Sequence, residues 1–113
     1  MLDDNVLVCE PDGPLLRSDR DALDLIGEAG VRGATWVAVP AERFHDDFFT
    51  LSTGVAGEIA QKFVNYRLGL AIVGDISRFT EASSALRAWV LESNRGNHIR
   101  FVRNLGELAA PRS

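Results

Sequence analysis

Four short apolar runs alternate with four stretches of helical periodicity, and this alternation restricts the fold more than any other feature. The runs are Val6-Leu7-Val8-Cys9, Thr35-Trp36-Val37-Ala38-Val39, Leu70-Ala71-Ile72-Val73 and His98 to Val102. The second has no polar alternation and is closed by Pro40, the pattern of a strand covered on both faces. Between them, Ser18 is placed as an N-cap, with Asp19 and Asp21 at the positive helix end, and Ala22, Leu23, Leu25, Ile26 and Ala29 form one stripe ended by Gly30. A longer helix is predicted from Gly54 to Tyr66, with Gly69 ending it, and another from Glu81 to Ser93, capped by Thr80. Asn104 and Glu107 resemble a capping box for a last short helix, broken by Pro111. Leu15-Leu16 reads as a brief edge strand or as packing beneath its loop.

Strand and helix in strict alternation imply an α/β fold: one three-layer domain over residues 1–113, with a four-stranded, mainly parallel sheet and helices on both faces. The strand order expected for four such units with one topological reversal is 2-1-3-4. The chain's 113 residues suit one domain, and 46% apolar with 25% charged residues is ordinary globular composition. A single cysteine, Cys9, excludes an intrachain disulfide, and no Cys/His cluster offers a structural metal site. No apolar run reaches the roughly 20 residues of a membrane span. The acidic start Met1-Leu2-Asp3-Asp4 is the wrong sign for a secretory leader, so a cytoplasmic location is expected.

Charge is uneven. Residues 1–50 hold eleven acids against four arginines, net −7, while residues 51–113 hold five acids against eight bases, net +3. The basic group of Arg95, Arg100, Arg103, Arg112 and His98 is too small for the concentrated face that nucleic acid requires, and reads first as a solvated edge strand and tail. The asymmetry permits self-association or a charged protein partner.

In an open parallel sheet, ligands bind beyond the carboxyl ends of strands at a switch point. With order 2-1-3-4 that crevice lies between strands 1 and 3, so Glu10, Asp12, Asp75 and Ser77 are the candidate ligand residues. The competing reading makes Asp12 a turn residue and Asp75 a cap, both routine for aspartate. A phospho-receiver would need a lysine from a later strand end, whereas the only lysine, Lys62, is mid-helix. Prolines occupy the Pro11-Asp12-Gly13-Pro14 turn where a nucleotide loop needs backbone donors, and no glycine-rich phosphate motif is present. No cofactor and no metal are expected. Cys9 lies in a strand, and nothing in spacing joins His45 or His98 to a nucleophile, so no catalytic residue is assigned.

Ser52 and Thr53, ahead of the long helix, are a candidate anion or phosphorylation site, with plain capping as the competing reading. Phe44, Phe48, Phe49 and Leu51 make residues 41–51 too apolar to leave in water; Phe48 and Phe49, with Arg95 at the end of the third helix, are the candidate partner contacts. In the segment Ser93 to Asn97, Asn94 or Gly96 suits a left-handed cap.

Several long strings resemble the bacterial domain family DUF4180: Leu23 to Ala29, Gly54 to Arg67, Ala71 to Ser77 and Glu92 to Gly96. The resemblance covers nearly the whole chain and implies a stand-alone small bacterial protein, with no activity to carry over. Ser52-Thr53-Gly54-Val55 also resembles the phosphorylation switch of STAS domains, the anti-sigma factor antagonist type, although Leu51 stands where that family has an aspartate. That likeness implies a STAS-like or flavodoxin-like architecture with Ser52 as switch. The expected function is a non-enzymatic protein-interaction or regulatory module. The alternative is a small-molecule or metal-binding domain, or a hydrolase, using the strand 1–strand 3 crevice.

Overall fold

The computed structural model describes residues 5–109. The apolar runs form strands β1 (Val6–Val8), β2 (Trp36–Pro40), β3 (Gly69–Val73) and β4 (Ile99–Val102). The helices are α1 (Asp19–Arg32), α2 (Val55–Asn65), α3 (Ser77–Ala82), α4 (Ser84–Arg95) and α5 (Leu105–Ala109), and three short 3₁₀ turns fill the connection from β2 to α2. All strand pairs are parallel, as the alternation predicts.

The strand order is 1-2-3-4, which corrects the expected 2-1-3-4. A central strand must be apolar on both faces. β2 and β3 meet this requirement, whereas β1 has three residues, leaves Val8 exposed and runs into Glu10-Pro11. β1 therefore takes the edge. Successive crossovers of one hand that all step in one direction place their helices on the same face. Accordingly Leu7, Val37, Val39, Leu70, Ile72, Ile99 and Phe101, one side of the sheet, share a single core with residues of α1, α2 and α4, and Phe79 of α3 packs against it. The expected helices on both faces are thereby replaced by one core-forming helical layer; α5 packs against β4 outside that core.

Aromatic rings tie the β2–α2 connection to the far edge of the sheet. Phe44 and Phe48 lie 4.4 Å apart, Phe48 and Trp89 6.1 Å, and Trp89 and Phe101 5.4 Å between centroids. Phe48 is fully buried and Phe49 nearly so, which corrects their reading as partner contacts: truncating a ring of this kind costs about 3–5 kcal/mol, so it is kept out of water.

Helix ends depart locally from the sequence pattern. α1 continues past Gly30 to Arg32, because Gly33 (φ 69°) supplies the left-handed cap. α2 ends at Asn65, with Arg67 (φ 57°) turning the chain, so Gly69 is free to open β3. The helix expected from Glu81 splits in two, because the Ser83 hydroxyl accepts the Leu86 N–H at 3.1 Å and starts α4 afresh. Asn94 does not cap α4. Its side-chain amide donates to the Phe101 carbonyl at 3.2 Å and accepts the Phe101 N–H at 2.7 Å, closing part of the β4 edge. Asn104 accepts the Glu107 N–H at 3.1 Å as the capping box requires, and Pro111 lies outside the described residues. Leu16 bridges Phe44 in parallel, a vestige of the expected edge strand.

On the sheet face away from the core, the Trp36 indole lies flat across Gly69, its partner in register on β3. A Cβ at Gly69 would press into the ring face, well inside van der Waals contact with Cδ2 and Cε3. Gly69→Ala should therefore lower unfolding free energy by about 1–3 kcal/mol in urea titration, the range for overpacking a closed site. A variant as stable as the parent would show that the indole can leave without loss.

A cavity at the carboxyl edge

The carboxyl edge of the sheet is shaped by one buried cation. Arg43, in the 3₁₀ turn after β2, is 7% exposed. Its Nε donates to the Pro14 carbonyl at 2.7 Å and its Nη1 to the Glu10 carbonyl at 2.8 Å. The loop between β1 and α1 thus curls around a guanidinium, with Gly13 against it: a Cβ there would lie 2.6 Å from Cζ. The same loop is stitched to the β2 side by Leu16 N–H to Arg43 O at 2.6 Å and His45 N–H to Leu16 O at 3.1 Å.

This clasp leaves a cavity of about 500 Å³ beyond the ends of β2 and β3. Leu15 and Arg17 come from the first loop, Ala41 to Asp46 and Phe49 from the β2–α2 connection, and Asp75, Arg78 and Phe79 from the segment after β3. The floor is aromatic, with Phe49 and Phe79 stacked at 4.3 Å and 12°. The rim is charged. Arg78 lies 4.3 Å over the Phe79 ring and 3.9 Å from Asp46, an exposed and weak pair. His45 Nδ1 accepts the Asp47 N–H at 3.1 Å, so the neutral ring carries its proton on Nε2. Arg17 and Glu42 side chains form no hydrogen bond or ion pair among the described residues.

Of the residues singled out from the sequence, Asp75 lines this cavity and Ser77 holds it in place. The Ser77 hydroxyl, then its N–H at 2.9 Å, bond the Asp75 carboxylate and keep its pKa below the ordinary value, with Arg103 adding to the effect. Glu10 and Asp12 are not brought to it. β2 separates β1 from β3, so a crevice between strands 1 and 3 does not exist; Glu10 contributes its backbone carbonyl to Arg43, and Asp12 is exposed. Among the described residues no group of three or more His, Cys, Asp or Glu is placed to hold a metal ion.

Ser52 is exposed in the turn Leu51–Thr53, two residues ahead of the positive-φ Gly54 (φ 80°) that precedes α2. Thr53 is committed locally: its hydroxyl lies 2.7 Å from Asp47 O and 2.8 Å from Thr50 O and accepts the Val55 N–H at 3.3 Å. Arg95 is exposed beside Glu92 at 3.7 Å. Cys9 is half-buried, and burial pushes its thiol pKa up, against a smaller downward pull from Arg43. Sequence reasoning missed Arg17, Glu42, Arg78 and Phe79 as residues lining this cavity. The available signal was Arg43 itself, a charge inside a loop too apolar to stay in water.

With this geometry in place, the chain can be classed as a parallel α/β domain with a ligand-sized cavity at its carboxyl edge. The DUF4180 profile, a domain of unknown function, matches residues 2–111, and the chain belongs to that family. No curated protein and no solved structure matches it. No helix among the described residues is long and apolar enough to cross a membrane.

Arg43→Lys keeps the charge but cannot make both fork bonds, so unfolding free energy should fall by about 1.5–3 kcal/mol. An unchanged denaturation midpoint would mean that the clasp is dispensable. Ser77→Ala removes the hydroxyl bond while leaving the amide, so the Asp75 carboxyl, followed by NMR, should titrate at higher pH than in the parent. The sign follows from linkage: a carboxyl with a lowered folded pKa contributes stability above its unfolded pKa, lost as pH falls through the folded one. A midpoint that does not move would remove Ser77 as the cause.

Proposed function

We propose that the chain is a binding domain for a small molecule with both apolar and polar parts, held at the carboxyl edge of β2 and β3. The observation that supports this is the cavity itself. Its volume of about 500 Å³ lies within the roughly 300–1,000 Å³ typical of ligand sites, and it opens beyond the carboxyl ends of β2 and β3, although the order 1-2-3-4 has no reversal to make a switch-point crevice. The Phe44, Phe49 and Phe79 rings supply apolar contact, while Arg17, Glu42, His45, Asp75 and Arg78 supply orientation. No nucleophile–base pair has been identified among these residues, so the reading is of binding and not of turnover.

The interaction-module reading retains exposed Arg95 and Ser52 as its surface. It has lost Phe48 and Phe49 to the core, and for that reason the cavity reading is preferred.

A thermal-shift panel of cationic, anionic, zwitterionic and neutral amphiphilic small molecules tests the proposal. A ligand present at a hundred times its dissociation constant should stabilise the domain by about 2.7 kcal/mol, a rise in Tm of many degrees. Its amide perturbations in ¹H–¹⁵N spectra should centre on Arg17, Glu42 to Asp46 and Asp75 to Phe79. A panel with no shift, or perturbations confined to another surface, would sink the proposal.

A further inference from the structure

The charges on the cavity rim differ in how far they are already occupied. Asp75 is bonded to Ser77, and Arg78 leans on Asp46 and the Phe79 ring. Arg17 and Glu42 line the same cavity with opposite charge, and neither is paired with the other or with any described residue. A purely anionic ligand could use Arg17 but would face Glu42, Asp46 and Asp75. A purely cationic one would face Arg17 and Arg78. Only a ligand carrying both signs turns every uncommitted rim charge into an attraction, and the Phe44, Phe49 and Phe79 floor asks that its body be apolar.

We infer that the cavity selects zwitterions with an apolar body, an ammonium and a carboxylate flanking an apolar side chain, as in a free α-amino acid or a short peptide. This rests on the cavity being a ligand site. Arg17 meets the carboxylate, Glu42 meets the ammonium, and the side chain lies on the aromatic floor. Glu42 is the specificity-determining residue, since it penalises the analogue that lacks the ammonium.

The probes are L-phenylalanine, the dipeptide L-phenylalanyl-L-phenylalanine, 3-phenylpropionate, which lacks the ammonium, and phenethylamine, which lacks the carboxylate. Calorimetry gives affinities and ¹H–¹⁵N spectra give location. L-Phenylalanine or the dipeptide should bind at least about tenfold more tightly than either half-molecule, the least expected for one charge-assisted hydrogen bond. The tighter of the two identifies the source, free amino acid or peptide. Arg17→Gln should weaken both L-phenylalanine and 3-phenylpropionate. Glu42→Gln should weaken L-phenylalanine and phenethylamine, leave 3-phenylpropionate no weaker, and erase the advantage of L-phenylalanine over 3-phenylpropionate. Both residues are exposed, and unchanged melting curves for the unliganded variants confirm that folding is intact.

Equal affinity for L-phenylalanine and 3-phenylpropionate, with both perturbing the cavity amides, overturns the zwitterion inference and leaves the cavity a ligand site. Failure of both zwitterions to bind at millimolar concentration also overturns it, the wider panel then deciding the cavity. Perturbations away from Arg17, Glu42 and Asp75 overturn both.

Discussion

The guanidinium of Arg43 is the strut on which the carboxyl edge depends. Placing a cation out of water is costly, and among the described residues no carboxylate pairs with it. The cost is offset by the carbonyls of Glu10 and Pro14, two acceptors that a tight, proline-bounded turn would otherwise leave pointing inward. Gly13 suits the close approach, because a Cβ there would have to displace the guanidinium from its two carbonyls. Once the turn is held, Leu15, Leu16 and Arg17 have a fixed position, and the Leu16–Phe44 bridge sets the distance between the two loops that wall the cavity. Fold and site thus share one interaction.

Beneath that edge, the aromatic chain from Phe44 through Phe48 and Trp89 to Phe101 crosses under the helical layer. It lets a connection of three short 3₁₀ turns behave as part of the core. Phe49 belongs to both systems. Its ring centroid lies 5.1 Å from that of Phe48 on the core side and it stacks on Phe79 on the cavity side, so the cavity floor is continuous with the core.

The elements were legible in the sequence because periods of two and 3.6 are local properties. Strand order was not, since neither Val6-Leu7-Val8 nor Leu70-Ala71-Ile72-Val73 names its neighbour. The shortness of the first run and the prolines behind it are what assign it to an edge. The break at Ser83 was hidden by a stripe, Ala82, Ala85 and Leu86, that continues across it, while the serine's capping chemistry overrides the pattern. Phe48 and Phe49 carried two incompatible readings, packing and contact, and burial energy decides between them. Asp75 was legible as a residue at the carboxyl edge, where it lines the cavity, from its place after a strand. Arg17 and Glu42 were not, because in sequence an exposed arginine and glutamate are indistinguishable from any solvated pair.

Solvation also separates the three arginines at this edge. Arg43, dry and doubly bonded, serves the fold and cannot leave it without exposing two carbonyls and an apolar loop. Arg17 and Arg78 are wet, so their charges cost the empty protein little. An aromatic floor beside them changes that when water is displaced, because a ligand lying on Phe49 and Phe79 shields the rim and lowers the dielectric through which Arg17 and Glu42 act. Under the proposed function, charges that do almost nothing for stability in the open cavity would therefore become strong discriminators in a filled one. The same residue type is structural below the rim and solvated upon it, and the difference lies wholly in what each guanidinium has in place of water.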